Sequence, residues 1–200
     1  MVNRAAGRFF LLLGAALILF LFIVPLISGS GESSPPVRAS GDLDGDGKVE
    51  EYFLEGGVLS VREDSAAVGS EARDLWRTPQ EWRVDSFALG DADNDGKTEL
   101  VISFGEVRPF WHTDADDSYK NHLFVYRLQE DEYKPVWCSS DLDRPILSFA
   151  IRDSNGDGLN ELVVEEGRYR RVAGERYAPD PKGPVRTTVW QWKEWGFYLL

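Results

Sequence analysis

Short apolar runs with a two-residue alternation recur along residues 37–200, and Gly, Asp, Asn or Pro bounds each of them. Side chains of a strand point alternately to opposite faces, so this period predicts strands and not helices. The runs group into three units of like order. The first predicts strands near 36–41, 51–55, 57–62 and 73–77. The second predicts them near 84–90, 98–104, 122–129 and 133–139, and the third near 146–152, 160–165, 185–193 and 195–200. Each fourth strand carries an aromatic mark: Leu75-Trp76, Val136-Trp137 and Trp195-Gly-Phe197. Four antiparallel strands per unit is the grammar of β-propeller blades. The expected fold class is all-β: a β-propeller-like array of three four-stranded antiparallel blades, at about 37–83, 84–145 and 146–200. Propellers usually have four to eight blades. Three therefore leave an open wedge, close unusually tightly, or assemble with another chain.

Ahead of these units the pattern changes. Arg4 and Arg8 precede an uncharged run from Phe9 to Ser28, rich in Leu, Ile and Phe. About twenty apolar residues exceed the usual signal-peptide core and suffice for a hydrocarbon layer of about 30 Å. Residues 1–28 are thus expected to be a helical signal anchor holding the chain to a membrane. Arginines before the run and Gly31-Glu32 after it place the remainder outside. The small residues of Ser28-Gly-Ser-Gly-Glu32 also suit cleavage, in which case the product is secreted. Residues 29–36, Gly-Ser-Gly-Glu-Ser-Ser-Pro-Pro, predict a short tether.

The connection between the first and second strand of every unit is the same acidic loop. It reads Asp42-Leu-Asp44-Gly-Asp46-Gly-Lys48-Val-Glu50, then Asp91-Ala-Asp93-Asn-Asp95-Gly-Lys97-Thr-Glu99, then Asp153-Ser-Asn155-Gly-Asp157-Gly-Leu159-Asn-Glu161. Oxygen side chains stand at positions 1, 3, 5 and 9, with glycine at 6. A hard cation needs six to eight oxygens, and a sharp turn at glycine folds alternating carboxylates onto one point, so Ca²⁺ is the expected ion. A solvated acidic turn would share the composition but not the phase three times over. An EF-hand would need a bidentate Glu at position 12 and flanking helices. Position 12 is Phe53, Ile102 and Val164, and the flanks are strand-like.

These loops and strands resemble FG-GAP, or VCBS, repeats, the blades of integrin alpha-chain propellers and of many exported bacterial proteins. The resemblance covers about residues 37–200 and implies Ca²⁺ held by the side chains at positions 1, 3, 5 and 9 and by the carbonyl at 7. Carried over, the ligands are Asp42, Asp44, Asp46, the Lys48 carbonyl and Glu50; Asp91, Asp93, Asp95, the Lys97 carbonyl and Glu99; and Asp153, Asn155, Asp157, the Leu159 carbonyl and Glu161. The first copy departs from the pattern. Glu51 stands where Leu100 and Leu162 do, and the lead-in Val37-Arg-Ala-Ser40 lacks the Phe of the other two. The first blade is thus expected to be degraded or to act as a terminal cap.

Two hundred residues with 42% hydrophobic content can bury one ordinary core. A net charge of −12 argues against nucleic acid, whose phosphates want a basic surface. The lone cysteine, Cys138, excludes an intramolecular disulfide and lies in a strand-like run, which predicts a buried inert thiol. No phosphate loop, nucleophile motif or metal-binding His pair occurs, and no catalysis is expected. The long insertions follow the second strands: Glu106–Asn121 with Phe110, Trp111 and Tyr119, and Gly167–Pro184 with Tyr169, Arg171 and Tyr177. These six are the expected contacts for a protein or glycan partner, since loops on a rigid scaffold carry recognition. Alternatively they cover an exposed blade edge. Two other classes stay open: an envelope protein self-associating through open blade edges, and an envelope hydrolase with acids in the insertions. The closing Trp190, Trp192, Trp195 and Phe197 predict packed core before a carbohydrate platform.

Overall fold

Alternating burial along the expected strands is what the structure, a computed structural model, displays. It describes residues 36–63, 72–106, 120–173 and 176–200. The anchor at 1–28 and the expected contacts Phe110, Trp111 and Tyr119 lie outside the described residues. Among those described every regular element is a strand, and no helix is long and apolar enough to cross a membrane.

The first sheet joins β1 (Val37–Gly41), β2 (Glu50–Glu55), β3 (Val58–Glu63) and β4 (Arg73–Arg77) in chain order. The second joins β5 (Trp82–Gly90), β6 (Glu99–Glu106), β7 (Asn121–Gln129) and β8 (Glu132–Cys138) likewise. Beyond these come β9 (Ile146–Arg152), β10 (Glu161–Glu166), β11 (Tyr169–Ala173), β12 (Arg176–Pro179), β13 (Arg186–Lys193) and β14 (Gly196–Leu199). The third sheet has the order β14-β13-β10-β9, and β11-β12 is a separate hairpin between its second and third strands. All pairings are antiparallel. The insertion expected at 167–184 is present and contains the β11–β12 hairpin. Its Tyr169-Arg-Arg-Val172 run has strand-forming residues, and the Asp180 N–H donating to the Arg168 carbonyl at 2.7 Å closes its base.

The second sheet is buried on both faces. Leu100, Ile102 and Phe104 of β6 join a cluster with Tyr52, Leu54, Leu59 and Val61 of the first sheet. The intervening Val101 joins Leu123, Val125, Ile146, Leu162 and Val164 on the other side. That is the period of a strand with two partners, and it explains why Leu100-Val-Ile102 is apolar without a break.

Glu51 then has a physical reason. The residue after each ninth-position glutamate faces the preceding sheet; Leu100 and Leu162 are buried there, whereas Glu51 has no preceding sheet among the described residues and is exposed. The first sheet is complete and not degraded, since all four of its strands pair. Its outer face is solvated, with Arg38 and Arg62 both over the Phe53 ring at 5.1 and 5.8 Å.

Close approach between sheets rests on Gly90 at the end of β5. A Cβ there would come within 3.1 Å of the Ile151 side chain on β9. The matching position in the third sheet is Arg152, which is exposed and has no facing sheet among the described residues. Tryptophans of the fourth strands bridge the same seams. Trp76 lies 5.2 Å from Tyr126 and 5.1 Å from Tyr133, and Trp137 lies 5.5 Å from Phe197. Trp190 and Phe197 pack in the core as expected, but Trp195 does not. It sits in the turn before β14, 67% exposed. Cys138 is a second correction. It ends edge strand β8, has neighbours on one side only, and is exposed, although partial burial of its sulfur still pushes the thiol pKa up.

Candidate metal centre

All three acidic loops join the first strand of a sheet to its second, so antiparallel geometry puts them at one end of their sheets. Their local folding is set by the acids themselves. The first-position carboxylates cap the turn: Asp42 accepts the Gly45 and Gly47 N–H groups at 2.7 and 3.0 Å. Asp91 accepts those of Asp95 and Gly96, and Asp153 those of Gly156 and Gly158. The third position accepts the N–H of the fifth in every copy: Asp44 from Asp46, Asp93 from Asp95, and Asn155 from Asp157. The fifth accepts the N–H of the seventh: Asp46 from Lys48, Asp95 from Lys97, and Asp157 from Leu159. Successive Asx turns of this kind coil the chain around its own side chains. Glycine at position 6 is required, since φ there is 87°, 86° and 87° for Gly47, Gly96 and Gly158.

Each ninth-position glutamate is the first residue of its sheet's second strand and is buried: Glu50 at 2%, Glu99 and Glu161 at 0% exposure. Each accepts the N–H of the second loop residue through one oxygen: Leu43 at 2.7 Å, Ala92 at 2.9 Å and Ser154 at 2.8 Å. Burying carboxylates beside one another is unfavourable without a cation. Burial first, then repulsion from Asp44, Asp42 and Asp46, pushes the Glu50 carboxyl up to about 7. Burial likewise raises Glu99 and Asp93, whereas the Gly156 and Gly158 N–H groups lower Asp153.

The donor sets differ. In the first loop Asp42, Asp44, Asp46 and Glu50 each bring an oxygen within 4.8 Å of the others, an arrangement that fits a hard cation. Lys48, whose carbonyl is the expected seventh-position donor, turns its ammonium to Asp46 at 2.8 Å and Glu63 at 2.7 Å. In the second loop Asp91, Asp93 and Glu99 converge, but Asp95 turns to Arg127 at 3.0 Å. The third has Asn155 in place of an acid, its amide nitrogen 3.1 Å from both Asp157 and Glu161.

Arg127 escaped the motif reading. It stands on β7, far in sequence, and its only trace is one charge inside Leu123-Phe-Val-Tyr-Arg-Leu128. Asn94 is also more than a spacer between ligand positions. It takes φ of 62° where the other loops have Gly45 and Gly156, and its amide oxygen accepts the Asn160 N–H at 2.6 Å. Its Nδ2 donates to the Asn160 carbonyl at 3.0 Å, and Asn160 Nδ2 donates to the Asp91 carbonyl at 2.9 Å. The second and third loops are therefore joined directly. Asn94→Gly keeps the backbone conformation but deletes this clamp, and should cost about 1–2 kcal/mol in urea unfolding. Asn160→Ala keeps the backbone groups that Asn94 bonds and deletes only the Nδ2 bond to the Asp91 carbonyl, so it should cost about 1 kcal/mol and the double variant about the sum of the two. A double variant no less stable than Asn94→Gly alone would show that the Asn160 side chain contributes only through Asn94.

The expected partner contacts within the described residues sit on the hairpin at the other end of the third sheet. The Tyr169 hydroxyl accepts the Asn121 N–H at 2.7 Å, and the half-buried ring anchors the insertion to β7. Arg171 and Tyr177 are register partners in the hairpin. No protein-family model matches this chain and no curated protein matches it in sequence, so the loops themselves carry the functional reading.

Proposed function

We propose that the chain is an exported Ca²⁺-binding β-repeat module, tethered to a membrane by residues 1–28, that holds a protein or glycan partner at the cell envelope. The observation that carries it is that Asp42, Asp44, Asp46 and Glu50 each bring an oxygen within 4.8 Å of the others, with the ninth-position glutamate held by the same backbone hydrogen bond in all three loops. The array is read as propeller-like because each sheet is a four-stranded meander stacked on the next. Bound Ca²⁺ supplies the positive charge that the clustered carboxylates require. The protein's part is to fix oxygens: in the first loop backbone N–H groups cap the turn through both oxygens of Asp42, and hold one oxygen each of Asp44 and Glu50 so that the second turns to the ion. The first strand is thereby clamped to the second at one end of a sheet, while the insertions at the other end remain for the partner. The acids are committed to the loops, so the reading assigns no catalysis.

Calorimetric titration of Ca²⁺ into the full-length chain in mild detergent tests this. The chain should bind, and Asp42→Asn together with Glu50→Gln should remove one ion while the far-ultraviolet β spectrum persists. A folded chain that takes up no Ca²⁺ would refute the proposal.

A further inference from the structure

The third strand of each sheet places one residue beside the ninth-position glutamate, and its charge differs among the three. Glu63 pairs with Glu50, and Gln191 pairs with Glu161. In the second sheet the residue is Arg127, one step beyond the Leu100–Tyr126 pair. Its guanidinium reaches Asp93 at 2.8 Å, Asp95 at 3.0 Å and Glu99 at 2.5 Å. These are positions 3, 5 and 9 of the loop.

The oxygens involved decide the matter. Asp93 gives Oδ1 to the Asp95 N–H and Oδ2 to Arg127. Asp95 gives Oδ1 to the Lys97 N–H and Oδ2 to Arg127. Glu99 gives Oε2 to the Ala92 N–H and Oε1 to Arg127. The oxygen that each acid would turn to an ion is thus bonded to an internal cation. In the first loop Asp44 and Glu50 keep a second oxygen with no hydrogen bond from the described residues, and Asp46 shares its Oδ2 with the exposed Lys48 ammonium. In the third the second oxygens of Asp157 and Glu161 meet the neutral Asn155 amide and, among the described residues, no cation. Nor is Arg127 a swinging surface group. Its side chain is 14% exposed, Asp93 is 11% exposed and Glu99 is fully buried. Withdrawing it would leave buried carboxylates without their charge partner, an arrangement that is strongly destabilising. A guanidinium also suits several carboxylates at once, because its N–H groups diverge in a fixed plane.

We propose that the second loop holds the Arg127 guanidinium where the first and third loops hold Ca²⁺, so that the chain loads two ions and not three. The inference rests on the Ca²⁺ reading above and divides its sites. The middle sheet keeps its loop closed whatever the ion concentration, and the outer two respond to it.

The test installs in the second sheet the residue that the third already carries. Equilibrium dialysis of the full-length chain against Ca²⁺ should give two bound ions, and Arg127→Gln should give three. Arg127→Lys, which keeps the charge, should stay at two. In chelator Arg127→Gln should melt below the unmodified chain, and Ca²⁺ should raise its melting temperature more than it raises that of the unmodified chain. Three ions on the unmodified chain, with one lost in Asp93→Asn, would overturn the proposal and leave the Ca²⁺ reading intact. A folded Arg127→Gln that still binds two would overturn it as well. No ion on either protein would sink the Ca²⁺ reading itself, and this proposal with it.

Discussion

Removing Ca²⁺ with a chelator should lower the melting temperature of the full-length chain by a margin that no single surface substitution matches. An ion that binds only the folded state at 100 times its Kd contributes about 2.7 kcal/mol. Two such sites contribute about 5 kcal/mol, which for a chain of this size corresponds to roughly 10–20 °C. The first loop should dominate, since four carboxylates converge there and Glu63 adds a fifth acid beside Glu50. Its metal-free state should also carry a pH signature. The Glu50 carboxyl titrates near 7 in the folded chain against an ordinary 4.5, so between those values the folded state binds the extra proton. Stability then falls as pH rises through that window, and the loss is complete above it. Scanning calorimetry in chelator at pH 5 and pH 8 reads this contribution as the difference between the unmodified chain and Glu50→Gln. A melting temperature indifferent to chelator would remove the basis for the metal assignment.

How much of this was open to a reader of the sequence follows from how local each feature is. Strands and acidic loops were legible because alternation and the Asx-turn phase are properties of neighbouring residues. Glu51 was visible as a departure, but its meaning depends on which sheet it faces, and that is a matter of tertiary order. Arg127 could not be read, because its three partners lie some thirty residues earlier and meet it only once β6 pairs with β7. Asn94 and Asn160 touch across two sheets for the same kind of reason. Exposure at Cys138 and Trp195 was misjudged because apolar character predicts burial only where a neighbouring layer exists. Both sit at strand ends, on or beside edge strands of their sheets.

Whether the second sheet is truly interior has a direct energetic consequence. Phe104 on β6 is 1% exposed. It stacks on Trp82 with ring centroids 4.3 Å apart and meets Phe124 edge-on at 4.8 Å. His122 lies against its ring at 5.3 Å. Truncating a buried phenylalanine removes its transfer free energy and leaves a cavity that rigid neighbours cannot fill, a loss of about 3–5 kcal/mol. Phe104→Ala should therefore cost that much in denaturant unfolding, enough to unfold a marginal domain. Phe53 provides the contrast within the same chemistry. It is half-buried on the outer face of the first sheet, where Arg38 and Arg62 cover its ring, and Phe53→Ala should cost only about 1 kcal/mol. The ratio matters more than either value, because both variants delete the same atoms. Equal losses would mean that the first sheet's outer face is covered too, so that another layer lies beyond β1–β4. A small loss at Phe104 would mean that the first and second sheets do not stack, and the three-layer arrangement would have to be abandoned.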